Sequence, residues 1–115
     1  MSIRLLAVVI WSTSLLLGQT FSNQRIFERA SAALKAGDYT NAESGFRQVL
    51  KSDPRDLGTL GNLGVVYAHT HRYARAIEMY KRALTIAPHE PGVFLNLGLA
   101  YLKQDDYAHA LPYFR

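Results

Sequence analysis

Four histidines are the residues best suited to acid–base or metal chemistry: His69, His71, His89 and His109. His69 and His71 form a His-x-His pair, which needs one or two further ligands at a convergent point to hold an ion. His89 beside Glu90, and His109, lie on other segments, so all four are expected to be solvated side chains and no metal is expected. The chain has no cysteine, which excludes a disulfide scaffold, a thiol nucleophile, a Cys-type zinc site and a lipoprotein anchor. No Ser/His/Asp arrangement is legible. Gly58, Gly61 and Gly64 have helical spacing with no Lys-Ser/Thr behind them, so they are not a phosphate loop. The expectation is a chain with no active site and no cofactor.

The bulk properties agree with that. A length of 115 residues means one domain or a piece of one. With 49% hydrophobic and 19% charged residues, disorder of the whole chain is excluded. The net charge of +4 is spread with both signs interspersed, and no basic run or stripe appears, so a nucleic-acid partner is not expected.

Two kinds of segment must position whatever function remains. Residues 1–22 have one positive charge, Arg4, then an apolar run over 5–17 broken only by Ser12, Thr13 and Ser14, then small and polar residues from Gly18 to Ser22. This is the three-part layout of a secretory signal. As a helix, the apolar run spans roughly 20 Å, short of the ~30 Å bilayer core. A cleaved signal is the favoured reading, with Gly18 or Thr20/Ser22 as cleavage positions. An uncleaved anchor and an ordinary buried helix are its alternatives. Either of the first two implies an exported protein, periplasmic, in the cell envelope or secreted, with membrane contact only through this segment.

The remainder repeats with a period of 34. Tyr39, Tyr73 and Tyr107 are in register, as are Ala42, Ala76 and Ala110, and Phe46, Tyr80 and Phe114. Pro54 and Pro88 keep the same register, and Asn62-Leu63-Gly64-x-x-Tyr67 recurs as Asn96-Leu97-Gly98-x-x-Tyr101. Within a period the apolar spacing is helical. Leu60, Leu63, Val66 and Tyr67 share one face, and Ala76, Ile77, Tyr80, Ala83 and Leu84 share another after a break. The breaks fall at Gly37-Asp38, His71-Arg72 and Asp105-Asp106, where Gly37 can supply the positive φ of a helix end. Pro54 and Pro88 stop the second helix of each pair. Each unit is therefore helix, tight turn, antiparallel helix.

This pattern resembles the tetratricopeptide repeat (TPR) family, whose signature is a bulky residue, Leu-Gly, an aromatic, Ala, an aromatic, Ala and Pro. The middle repeat matches all eight by class: Leu60, Leu63, Gly64, Tyr67, Ala76, Tyr80, Ala83 and Pro88. The first keeps Ile26, Ala30, Ala42, Phe46 and Pro54 and departs at Arg29, Ala33 and Val49. The third keeps Phe94, Leu97, Gly98, Tyr101, Ala110 and Phe114. The resemblance implies an all-α, right-handed α-solenoid of antiparallel helix pairs, with repeats at 23–56, 57–90 and an incomplete 91–115. Gly64 and Gly98 are expected to let two backbones approach, with Ala42, Ala76 and Ala110 as the matching small surface. Arg29, at a Leu position, is expected to face water at the outer end of the stack.

The resemblance also implies a function, a non-enzymatic scaffold that binds a protein or peptide in its concave groove. Carried over by position, the groove residues are Gln24, Phe27, Glu28 and Ser31 in the first repeat. In the second they are Gly58, Gly61, Asn62, Val65 and His69, and in the third Gly92, Leu95, Asn96, Leu99 and Lys103. Members that grip acidic chaperone tails need basic residues at such positions, and Lys103 is the one base here. Asn62 and Asn96 match the place where glycosyltransferase-type members carry an asparagine ladder, whose amides can bond an extended backbone. The alternative is an exported arm of a longer protein whose activity lies elsewhere. Finally, the third repeat lacks counterparts of Ala83, Leu84 and Pro88, and Pro112 removes a donor from its last helix. Exposed Leu95, Leu99, Leu102 and Leu111 are expected there, with fraying from Tyr107, self-association through that end, or further repeats beyond it.

Overall fold

Apolar residues three and four apart gain most by forming helices that bury one stripe, and among the described residues there are six α-helices. The computed structural model describes residues 3–115, with side chains from Thr13 onward. Helix α1 spans Ile3–Lys35, α2 Tyr39–Ser52, α3 Leu57–His69, α4 Tyr73–Ile86, α5 Pro91–Lys103 and α6 Tyr107–Ala110. A 3-10 turn, Leu111–Phe114, closes the chain, and no strand occurs among the described residues. The helices pack in antiparallel pairs, α1 on α2 and α3 on α4, with α4 against α5, which makes the molecule an α-solenoid.

The turns follow one recipe. At the end of α1 the Asp38 N–H donates to the Ala33 carbonyl and the Gly37 N–H to that of Leu34, the double bond that closes a helix through a left-handed residue. Gly37 has φ +76°. The same bonds recur from Arg72 to Tyr67 and from Asp106 to Tyr101, but His71 and Asp105 hold the left-handed position, each at φ 59°. The expectation at Gly37 is met, and the two non-glycine counterparts carry the steric cost of a Cβ in that region. Asp38, Asp56 and Asp106 then cap the next helices by accepting from the N–H groups of Asn41, Thr59 and His109.

The predicted faces are the buried ones. Leu60, Leu63, Val66, Tyr67, Ala76, Ile77, Tyr80 and Ala83 are all buried, as are Ala42, Phe46, Leu97, Tyr101 and Ala110. Arg29 is exposed. Leu95, Leu99, Leu102 and Leu111 are exposed as expected, and so are Phe94 and Phe114 at 37% and 45%. Pro112 falls in the 3-10 turn, where α6 has stopped after one turn. Tyr113, which the repeat pattern does not mark, packs edge-on against Phe94 with ring centres 4.7 Å apart.

The close approach within pairs differs from the expectation. The surface facing Gly64 is the Tyr80 ring, three carbons of which lie inside 3.0 Å of where a Cβ would stand, and not Ala76. At Gly98 the neighbours are Tyr113 Cβ at 2.7 Å and the Phe114 ring, not Ala110. In the first pair Ala30 stands where Gly64 and Gly98 stand later, and its Cβ lies 2.7 Å from where one would stand on Gly45. Ala42, Ala76 and Ala110 are nonetheless buried in the core.

Helix α1 runs unbroken through residues 22 and 23, the expected boundary between leader and first repeat. What changes along it is packing. Leu15, Leu16, Leu17 and Phe21 are exposed, whereas Asn23 accepts a hydrogen bond from the Ser52 hydroxyl at 3.0 Å. The side chains of the apolar run before Thr13, and Arg4 with them, lie outside the described residues. Among the described residues no helix is long and apolar enough to cross a membrane.

Glycine substitutions should separate these roles in urea or thermal melts. Gly45→Ala and Gly98→Ala are expected to destabilise by roughly 1–3 kcal/mol through overpacking. An added Cβ meets nothing nearer than 3.5 Å at Gly58 or Gly61. Gly61→Ala, inside α3, is expected to stabilise by about 0.8–1 kcal/mol and Gly58→Ala, in its first turn, by less. Asp105→Gly should gain up to about 1 kcal/mol by relieving the left-handed residue.

Candidate functional site

Helices α3 and α5 are the first members of successive pairs and line one side of the stack. A depression of about 360 Å³ lies between their N-terminal halves, bounded by Gly58, Gly61 and Asn62 on α3 and by Gly92, Val93 and Asn96 on α5. A second, of about 330 Å³, continues toward the helix C-termini between Val65 and His69 on one side and Asn96, Leu99 and Lys103 on the other. Val65 and Asn96 line both, so the two form one groove.

The side chains of this groove follow from the helical register. Asn62 and Asn96 sit one step before the buried Leu63 and Leu97, which turns them toward the groove rim, where both are half-buried. Among the described residues neither amide has a hydrogen-bond partner. Glu28, one period before Asn62, is instead engaged by the Gln24 amide at 3.2 Å. A Cβ on Gly58 would lie 3.5 Å from the Phe27 ring, and one on Gly61 3.8 Å from Val93, so both glycines keep the floor low without a steric need to be glycine.

The first-repeat residues do not join this groove. The Phe27 ring packs edge-on against Phe46 with centres 5.7 Å apart. Ser31 is half-buried, and its Oγ is enclosed without a partner. Gln24 and Phe27 line a separate depression of about 260 Å³ beside Asn23, Asp53 and Asp56. Leu95 is 49% exposed and lies outside both parts of the α3–α5 groove. Besides the apolar Leu57, Ala68, Val93 and Ala100, the residues that sequence reasoning did not place at the groove are His71, Tyr73, Tyr80 and Glu90. The available signal was the rung of Tyr39, Tyr73 and Tyr107, which marks the start of each second helix.

His69, His71 and His109 have aromatic or polar neighbours, and His89 is exposed. The His69 ring stacks on Tyr39 with centres 5.3 Å apart and planes 11° from parallel. His71 Nδ1 lies 2.9 Å from the Tyr73 hydroxyl. His109 Nδ1 lies 2.8 Å from Asp106 Oδ2, and hydrogen bonds from the His109 side chain and backbone hold the Asp106 carboxyl below its usual range. Among the described residues no three His, Cys, Asp or Glu side chains gather where they could hold a metal ion.

Family models for the Tetratricopeptide repeat match residues 27–91 and 91–115. The chain belongs to the tetratricopeptide repeat family. This TPR fold is that of protein-interaction modules in general, and it is typically a non-enzymatic scaffold. No curated protein sequence matches the chain. Among solved structures, the MamA protein superposes with TM-score 0.77 at 22% identity, over 80% of this chain and 50% of that one. Another MamA crystal structure, from AMB-1, gives 0.71 at 25% identity over 74% and 46%. The Sgt2 TPR domain from Aspergillus fumigatus gives 0.76 at 22% identity over 81% and 62%. The chain spans about half the length of these MamA chains, and the likeness is one of fold.

Tyr80 links the TPR core to the groove, because its ring fills the space over Gly64 and its edge reaches the groove floor. Burial pushes its phenol up from 10.0 to about 12. The folded state therefore favours the neutral phenol. That contribution is complete below pH 10 and is lost as pH rises from 10 toward 12. Denaturant midpoints followed across this range should fall for the wild type, and Tyr80→Phe should lessen the fall.

Proposed function

We infer that the chain is an exported, non-enzymatic TPR module that binds an extended peptide segment of a partner protein in the groove between α3 and α5. The observation that carries this reading is the pair of half-buried asparagine amides at the groove rim, neither of which has a hydrogen-bond partner among the described residues. Each offers a donor and an acceptor, and standing on opposite sides of the groove they can bond the two edges of an extended peptide backbone without regard to its side chains. The adjoining glycines Gly58 and Gly61 leave a low floor over which a backbone can lie close. Export is supported by the three-part composition of residues 1–22.

The test is an array of extended heptapeptides titrated with the whole chain. Peptides retained by the wild type should lose about tenfold in affinity to the Asn62→Ala/Asn96→Ala double variant, the loss of two modest hydrogen bonds, with unchanged thermal stability. Equal affinity for every peptide would overturn the asparagine role. Fractionation of the natural host should recover the protein outside the cytoplasm, and recovery in the cytoplasm alone would overturn export.

A further inference from the structure

The groove carries opposite charge at its two ends. At the helix N-terminal end Glu90 lines it, and no Lys or Arg does. At the other end Lys103 lines it together with His69 and His71, and no carboxylate does. Glu90, Lys103 and His69 are all exposed. Among the described residues neither Glu90 nor Lys103 belongs to an ion pair.

The nearby carboxylates are engaged in their own turns. Asp105 accepts from the Tyr107 hydroxyl, and Asp106 caps α6 and meets His109. The C-termini of α3 and α5 both point to this end, but carbonyls of their last turns accept turn N–H groups. In α3 these bonds run from Thr70 to Val66, His71 to Ala68 and Arg72 to Tyr67, and in α5 from Gln104 to Tyr101, Asp105 to Leu102 and Asp106 to Tyr101. Among the described residues Lys103 is therefore the one full charge lining this end. His69 and Lys103 are one 34-residue period apart, at the last positions of α3 and α5, and so stand on neighbouring helices at the same height.

The spacing sets a length. Glu90 immediately precedes α5 and Lys103 ends it, so thirteen steps of helical rise separate them by about 20 Å. An extended chain advances about 3.3 Å per residue and covers that distance in about six steps. Asn96 lies between the two ends, where both parts of the groove meet.

We propose that the groove selects an extended partner segment bearing a carboxylate where it meets Lys103 and His69 and a cationic side chain about six residues away, where it meets Glu90. The proposal rests on the groove reading of the preceding section and adds to it the charge pattern and length of the segment. Asparagine amides hold the backbone without reading sequence, and the charged ends supply the selectivity.

Four blocked heptapeptides of alternating Ala and Ser test this, differing at their first and last residues: one Glu and one Lys, two Glu, two Lys, or two Gln. Each is titrated calorimetrically with the full chain at low and high ionic strength. The mixed peptide should bind about three- to tenfold more tightly than the Gln peptide at low salt, and the gap should close as salt screens the exposed pairs. Lys103→Glu should shift the preference to the two-Lys peptide, and Glu90→Lys to the two-Glu peptide. Both positions are exposed at helix ends, and unchanged helical circular dichroism confirms that each variant is folded. Equal binding of all four peptides, or a preference that neither variant moves, overturns the charge pattern and leaves the groove reading standing. Failure of all four to bind overturns both.

Discussion

At the closest approach of two paired helices there is room for one Cβ and not for two, and the packing of the solenoid depends on that. In the first pair the Cβ belongs to α1, on Ala30, and α2 gives way with Gly45. In the third the arrangement is reversed, with Gly98 on α5 and the Cβ of Tyr113 facing it; the hypothetical second Cβ would stand 2.7 Å away in both cases. In the middle pair Gly64 yields to the Tyr80 ring itself. Interiors packed at crystal-like density cannot absorb an added methyl at such a point. Helix α4 packs on both α3 and α5, so it stands behind the two helices that line the groove.

The connections show how far a repeat can drift while keeping its geometry. The left-handed residue at the end of each first helix is Gly37, then His71, then Asp105, and the two bonds that close the helix are the same each time. The cap of the second helix is Asp38, then Arg72, then Asp106. Arg72 makes no side-chain cap and is used elsewhere, bridging to Glu43 of the preceding repeat while its guanidinium lies 4.7 Å from the Tyr67 ring centre. One local hydrogen bond is exchanged there for a contact that ties two repeats together. The same substitution pattern appears on Tyr67 and Tyr101, which receive Arg75 and His109 at equivalent positions.

The groove is a consequence of this stacking rather than a separate structure. First helices at one side of a stack present the same heptad-like positions at each period, so Asn62 and Asn96, or His69 and Lys103, become neighbours although 34 residues separate them. Their chemistry differs from the interior in one respect. Buried polar groups in the solenoid are mostly consumed by helix bonds and caps, while among the described residues the two rim amides have no hydrogen-bond partner and the two end charges no ion pair.

The repeat, the helix pairs and the buried faces were legible in the sequence, because a 34-residue period and a 3.6-residue period are both written in residue types. The Leu63-Gly64 and Leu97-Gly98 steps announced close approach, and Pro54 and Pro88 announced the helix ends. The partner across each glycine was not legible. It depends on the rotation and offset of the second helix, which put Tyr80 over Gly64 and Tyr113 over Gly98 instead of the alanines. Gly45 was hidden for the same reason, since its role appears only when Ala30 is seen opposite it. Positions on the first helices identified most of the groove, but whether Phe27 lies free in it or is packed on Phe46 depends on neighbours 19 residues away in the chain. The sequence by itself determined which residues turn inward, through local periodicity. Only the tertiary structure decided what each of them meets, because those contacts join side chains whose distances are set by packing and not by spacing along the chain.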